Sequence, residues 1–209
     1  MIHQVDTFVF LEDVQYTKRD WRNRNKILIN GTPKWITVPI KQLAFEQKIC
    51  DTNIFTIENW QQKHYKMLQS AYSKSPYYKE YKLMLDDIYI KKEWISLSEL
   101  NIYSTKLICN ELGINTKFIN SADLKTTGTK DDKLIDICNR LGATHYLSGP
   151  SAKNYIDPNK FIKNNIILEY IEYDYPPYLQ YKGEFITHNV SILDVLFNCG
   201  KDTPKYIWR

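Results

Sequence analysis

Along the first forty residues the apolar positions change rhythm. Val5, Phe8, Val9, Phe10 and Leu11 form a compact apolar run closed by Glu12 and Asp13, the pattern of a largely buried strand with polar groups at its C-terminal end. In open α/β sheets that end is where ligands sit. Residues 23–29 and 34–40 follow as two strand-like runs parted by Asn30-Gly31, a dipeptide suited to a tight antiparallel hairpin. Pro39 removes a ladder donor, so the second strand should lie on an edge or leave the sheet there. A further short strand is expected within residues 48–54.

The period then lengthens. Trp60, His64, Met67, Leu68 and Ala71 fall three and four residues apart, as one helical face would, and predict a helix that starts near the capping signal Thr56-Ile57-Glu58 and is broken by Pro76. Helices are also predicted over 77–87 and 97–112, the second ended by Gly113, followed by a short strand over 116–120. Residues 131–141 read as a helix with acids in its first turn and Arg140 in its last, stopped by Gly142. Residues 145–147 read as a strand, 148–151 as a turn, 152–161 as partly helical and 166–172 as another strand, a unit that argues for parallel pairing. The fold class expected is α/β, a mixed sheet with an antiparallel hairpin insertion and a helical middle segment.

Composition narrows the class. The 209 residues show no internal repeat and no Pro-, Gly- or Ser-rich linker, so a single domain over 1–209 is expected. Apolar runs stay far below the roughly 18 residues that a membrane span needs, and no export signal is legible; the expectation is a cytoplasmic protein without membrane insertion. Cys50, Cys109, Cys138 and Cys199 are widely spaced, which suits reduced, unligated thiols and no metal site. With 28 basic against 24 acidic residues the net charge is only +4, too mild to imply nucleic acid or a membrane surface by itself.

Local clustering carries more. In the stretch from Asp13 to Lys26, Lys18, Arg19, Arg22, Arg24 and Lys26 interleave with Tyr16 and Trp21. Guanidinium forks match phosphate oxygens and the rings offer stacking faces, which suits a phosphorylated ligand such as a nucleotide-sugar. The same pattern is also that of a solvated hairpin with exposed charges. No RNP, KH or helix-turn-helix pattern accompanies it, so nucleic acid is not the expected partner. Trp60 and His64 share a helix face, and imidazole is the usual proton acceptor near neutral pH, although a lone helical histidine is commonly structural. Ser148-Gly149-Pro150-Ser151, followed by Lys153 and Tyr155, sits at a strand-to-helix turn whose N–H groups favour an anion. It is neither a P-loop nor a nucleophile elbow. Tyr170, Tyr173, Tyr175, Tyr178 and Tyr181 crowd around Pro176-Pro177 and Gln180, a segment suited to stacking on a sugar or to packing as a loop.

Several of these blocks together resemble a known family. The stretch from Asp6 to Ile27, Trp35-Ile-Thr-Val-Pro39, Trp60 with Lys63-His64, Tyr72 to Tyr77, Tyr146-Leu-Ser-Gly149 with Ala152 and Tyr155, and Ser191-Ile-Leu-Asp-Val-Leu-Phe-Asn198 look like the signature blocks of the WbqC-like family, in its order and spacing. The resemblance implies a place in bacterial gene clusters for O-antigen and other surface polysaccharides. Family members usually begin with a strand and turn resembling Gln-Pro-Tyr-Leu-Pro-Trp-Leu-Gly ahead of the residues that match Asp6, and the expectation is that this chain lacks them. That block looks like the phosphate-cradling start of nucleotidylyltransferase-like α/β folds, which makes such a fold the expected relative.

The leading functional reading is then a transferase that modifies a nucleotide-linked amino sugar by moving an aminoacyl or acyl group onto its amine. Arg19, Arg22, Arg24 and Lys26 would hold the diphosphate, His64 would deprotonate the amine, and Asp13 would orient that base or the amine. Further substrate-binding residues expected are Gln15, Tyr16, Lys18, Trp21, Asn23, Trp60, Tyr72, Ser148, Gly149, Ser151, Lys153, Tyr155 and Gln180. The partners implied are the nucleotide-linked sugar and an acyl or aminoacyl carrier protein. Two alternatives stay open: a nucleotidylyltransferase-like or adenylate-forming enzyme using ATP and Mg²⁺, with Asp13 near the metal and Lys153 near the phosphates, and a non-catalytic nucleotide-sugar-binding partner of a glycosyltransferase.

Overall fold

The computed structural model describes residues 1–41, 44, 46–56 and 59–208. In chain order its strands and helices are β1 (Thr7–Phe10), β2 (Arg24–Ile29), β3 (Thr32–Thr37), β4 (Ile40–Lys41), β5 (Asn53–Ile54), α1 (Trp60–Tyr72), α2 (Tyr78–Tyr89), α3 (Leu97–Glu111), β6 (Lys117–Asn120), α4 (Lys130–Leu141), β7 (His145–Ser148), α5 (Pro158–Lys163), β8 (Ile167–Tyr170), α6 (Ile192–Cys199) and α7 (Pro204–Ile207). The fold is mixed α/β, as the sequence pattern implied. Its described strands pair two by two, in two parallel and two antiparallel pairs. No helix among the described residues is long and apolar enough to cross a membrane. The chain divides into two compact units, each built from two stretches of sequence.

The first unit is Met1–Asp13 with Ile114–Asp174. β1 runs parallel to β6, with Thr7 opposite Lys117 and Phe10 opposite Asn120. β7 runs parallel to β8, with His145 opposite Ile167 and Ser148 opposite Tyr170. Parallel neighbours need a crossover, and α5 with the 3-10 turn Pro150–Asn154 supplies it between β7 and β8. α4 is strongly specified: Asp131 and Asp132 lie in its first turn and Arg140 in its last, matching the helix dipole, and Gly142 ends it at φ 64. Ile135, Cys138, Ala152, Ile156, Phe161 and Ile166 form the buried core here. Residues of β1 and of β7 both line a cavity of about 560 Å³, together with Leu134, Ile137, Cys138 and Leu141 of α4. None of the candidate site residues lines it.

The second unit is Val14–Gly113 with Tyr175–Arg209. β2 and β3 form the hairpin, with Lys26 opposite Trp35 and Ile29 opposite Thr32. Asn30 and Gly31 take φ values of 51 and 73, the left-handed pair that a two-residue turn between twisted strands requires. β3 stops at Thr37, and the Pro39 carbonyl beyond it accepts from Phe55 N at 2.9 Å; the proline sits past the ladder, as its missing N–H demands. α1 is capped by Asn59, whose side chain accepts from Gln62 N. Of the expected capping signal, Ile57 and Glu58 lie outside the described residues. Trp60, His64, Leu68 and Tyr72 form the buried stripe of α1, and Leu85, Leu97, Leu196 and Phe197 are fully enclosed, each such side chain contributing about 1.5–3 kcal/mol through burial. α6 and α7 are helices that the sequence pattern does not announce. α6 starts at Ser191, whose hydroxyl accepts from Leu193 N.

Candidate functional site

Alternation along a strand puts Arg24 and Lys26 on one face of the hairpin, and the register sets Trp35 directly opposite Lys26. The three side chains meet. The Arg24 guanidinium carbon lies 4.2 Å and the Lys26 ammonium 4.9 Å from the centre of the Trp35 ring. Trp21, from the preceding loop, tilts against Trp35 at 5.2 Å. Both indoles stay open, at 56% and 42% exposure. A cation–π contact at such a site contributes only about 0.5–1 kcal/mol, so these contacts stabilise little while both indoles keep part of their surface open to solvent.

The loop that carries Trp21 is braced from within. The Asp20 carboxylate accepts from Thr17 Oγ1 and from Trp21 N, each at 2.6 Å, and from the Arg22 guanidinium. Burial alone would raise its pKa, but these hydrogen bonds and the neighbouring arginines hold it below the usual carboxylate value. The Arg22 carbonyl accepts from Asn101 Nδ2 of α3 at 2.8 Å, and Arg24 Nη2 donates to the Arg19 carbonyl. Arg22 is thus committed to Asp20, whereas Lys18 and Arg19 are exposed. From Lys18 to Lys26 five cations face one carboxylate, an excess equal to the formal +4 of the whole chain.

Three expected ligand contacts turn out to be internal. Tyr16 is only 2% exposed and offers no face to a ligand; the ring that stands beside the cations is Trp35 instead. Asn23 is buried, its Nδ2 donating to the Val38 carbonyl at 3.0 Å. Tyr72 belongs to a buried network centred on Asp194, a residue with no exposure. The Tyr72 hydroxyl donates to Asp194 Oδ2, and Tyr178 Oη and Gln180 Nε2 both donate to Oδ1 at 2.8 Å. Burial and the adjoining carboxylate push both phenol pKa values upward, so each remains a donor. Tyr72 Oη also accepts from Leu28 N on the outer edge of β2.

Gln180 is equally committed. Its Oε1 accepts from Ile186 N and Thr187 N at 2.7 and 3.0 Å, and its Nε2 also donates to the Thr187 carbonyl. It brackets the loop that follows the Tyr181–Glu184 bridge. That loop returns to the hairpin, where Ser191 N donates to the Lys26 carbonyl at 2.7 Å. Gln15 contributes to the isolated bridge with Lys48.

His64 is 6% exposed, and its Nε2 donates to the Thr37 carbonyl at 2.9 Å. Trp60, itself buried, meets its ring edge-on at 5.2 Å. Burial lowers its pKa from 6.5 to about 4, the Thr37 carbonyl opposing only in part; at neutral pH the ring is uncharged. Its geometry is that of a tie between α1 and β3.

Asp13 lies in the first unit, just beyond β1. Its Oδ1 accepts from Ser121 Oγ and its Oδ2 from Lys133 Nζ, both at 2.5 Å. Burial would raise this carboxyl, but Lys133 and Ser121 bring it below its ordinary value. Glu12 beside it is 6% exposed, donates its backbone N–H to Ser121 Oγ, and keeps a buried Oε2 without a partner among the described residues. Ser148 is buried at the end of β7, Gly149 precedes the five-residue 3-10 turn, Ser151 is exposed, Lys153 Nζ sits 5.3 Å over the Tyr170 ring and Tyr155 is 73% exposed. The anion-favouring helix expected here is thus a single short turn. Among the described residues no group of three or more His, Cys, Asp or Glu is placed to hold a metal ion.

Sequence reasoning missed Trp35, Asp194 and Lys133. Trp35 was within reach: counting outward from the Asn30-Gly31 turn pairs it with Lys26. Asp194 and Lys133 meet partners too distant in sequence to leave a local pattern.

Comparison with known proteins places the chain. Rv1507c of Mycobacterium tuberculosis (strain ATCC 25618 / H37Rv), described as an uncharacterized protein, is 40% identical over 209 residues, which cover 99% of this chain and 90% of the relative. No solved structure matches the chain significantly. The model of the WbqC-like protein family matches residues 1–206, and the chain belongs to that family.

Proposed function

We propose that this protein binds a nucleotide-linked amino sugar on the β2–β3 hairpin and, in bacterial surface-polysaccharide assembly, transfers an acyl or aminoacyl group to the sugar amine. The observation that carries the binding is the exposed Trp21–Trp35 pair with Arg24 and Lys26 over one of its rings. A base stacks on the indoles while the cations, with Lys18 and Arg19 beside them, meet the diphosphate. Base stacking on an aromatic side chain contributes about 1–3 kcal/mol, and charge-assisted contacts to phosphate add to it. The transfer half of the proposal rests on the family resemblance.

A second reading, nucleotide-sugar binding without catalysis, is favoured by the state of the two residues expected to handle protons: Asp13 is committed to Lys133 and Ser121, and His64 to the Thr37 carbonyl. Isothermal titration of the protein with UDP, UDP-N-acetylglucosamine, dTDP and dTDP-glucose tests the shared claim. Binding that falls at least tenfold in Trp35→Ala and in Arg24→Ala with Lys26→Ala, at unchanged melting temperature, supports it. Unaltered affinity in both variants refutes the hairpin as the site.

A further inference from the structure

The histidines differ in what engages them. His64 Nε2 is held by a carbonyl, and His145 Nδ1 pairs with Thr144 Oγ1. His188 is exposed, and among the described residues neither of its ring nitrogens has a hydrogen-bond partner. Yet the ring does not swing freely. Phe185 packs on it at 4.5 Å, Tyr178 at 6.0 Å and Tyr175 at 6.3 Å. The backbone under it is equally fixed. Gln180 Oε1 holds Ile186 N and Thr187 N, the Thr187 hydroxyl accepts from Asn189 N, and Val190 N donates to the His188 carbonyl at 2.9 Å.

This loop runs against the hairpin at two points. Ser191 N bonds the carbonyl of Lys26, the residue whose ammonium lies over Trp35. At the turn, a Cβ on Gly31 would stand 2.8 Å from the Tyr181 ring, so the two chains are in close contact there. His188 lies between these contacts in sequence, on the segment that flanks the strand carrying Arg24 and Lys26. An exposed imidazole whose ring nitrogens have no hydrogen-bond partner among the described residues, next to the half-open ring of Phe185 (39% exposed), offers what a sugar needs: a ring face for its C–H surface and directional partners for its hydroxyl or amine groups.

We infer that His188, with Phe185, binds the sugar of the ligand whose nucleotide lies on the Trp21–Trp35 platform. This rests on the proposed nucleotide-sugar site and assigns the half of it that the hairpin does not supply. The platform recognises the nucleoside diphosphate, and His188 distinguishes a sugar-bearing ligand from the bare diphosphate.

The test is titration calorimetry of wild type, His188→Ala, His188→Asn and Phe185→Ala with two ligand pairs, UDP against UDP-N-acetylglucosamine and dTDP against dTDP-glucose. In wild type the sugar-bearing member of one pair binds more tightly. His188→Ala should weaken that member about tenfold, the effect of one lost hydrogen bond, and leave the bare diphosphate unchanged; His188→Asn, which keeps a donor and an acceptor, should recover part of the loss. Absence of binding by both diphosphates and both sugars in wild type overturns the hairpin site and this assignment with it. Retained diphosphate binding with no selective loss in His188→Ala, or an equal loss for both members of the pair, overturns the assignment to His188 alone. Melting temperatures of the same samples show whether a variant has lost its fold.

Discussion

The Tyr72 hydroxyl donates to Oδ2 of Asp194 at 2.9 Å across 122 positions of sequence. Because the same hydroxyl accepts from Leu28 N, one phenol joins α1, the outer edge of β2 and the first turn of α6. A carboxylate with no exposure is tolerable only while its donors remain, and its place in a first helical turn helps further. Asp194→Ala strands two phenols and an amide in the core and should cost about 3–5 kcal/mol of stability. Tyr72→Phe removes one donor and leaves Leu28 N unpaired, for about 1–3 kcal/mol. Urea unfolding measures both, and a loss below about 1 kcal/mol for Asp194→Ala would show the network to be dispensable.

His64 sets an acid limit. Its folded pKa of about 4 lies below its ordinary 6.5, so between those values the unfolded chain binds the extra proton. The stability from keeping the ring neutral is complete above about pH 6.5 and drains away as pH falls toward 4, by about 3 kcal/mol in all. His3, whose pKa burial and then the neighbouring N-terminal charge also lower, acts in the same direction. Melting curves at pH 7.5, 6, 5 and 4.5 should show His64→Gln less stable at pH 7.5 yet with a shallower slope. Parallel slopes for the two proteins would contradict a buried neutral imidazole.

Gly31 answers to two constraints at once. At φ 73 its backbone disfavours any side chain, and a Cβ would meet the Tyr181 ring at 2.8 Å. Gly31→Ala should destabilise by about 1–3 kcal/mol, and its nucleotide affinity should fall as well if the hairpin carries the ligand. A variant as stable as wild type in thermal denaturation would disprove the contact.

The thiols should be slow. Burial pushes Cys138 up to about 11, burial and the charge of Asp194 do the same for Cys199, and burial raises Cys109 and Cys50. Since the thiolate is the reactive form, iodoacetamide at pH 8 should leave Cys109 and Cys138 unlabelled in the native protein and label all four in urea. Rapid native labelling of Cys138, seen by mass spectrometry, would count against its burial.

Elements with a clean period were legible. The helix expected over 131–141 is Lys130–Leu141, and the turn-helix connection after residue 147 does join parallel strands. α6 escaped because its eight residues, Ile192–Cys199, are mostly apolar, and a short apolar run of that length suits a buried strand as well as a helix. The cation-rich loop was recognisable as chemistry, but which ring stands beside it depends on strand register. Tyr16 is adjacent in sequence and buried; Trp35 arrives from across the hairpin. Tyr72 and Gln180 read as ligand contacts because polar aromatic and amide groups suit both tasks, and only the location of Asp194 decides that they face inward.

The interleaving of the two units fixes a timetable for synthesis. β1 leaves the ribosome early, but the strand it pairs with, Lys117–Asn120, follows only after Val14–Gly113 has been made. At about 5–20 residues per second that wait is on the order of ten seconds, and Tyr72 waits about as long for Asp194. Over that interval the nascent chain carries an unmatched strand and an open phenol. Order of birth and order of folding therefore part company here, and any product that stops short of Asp194 lacks the charge on which Tyr72, Tyr178 and Gln180 close.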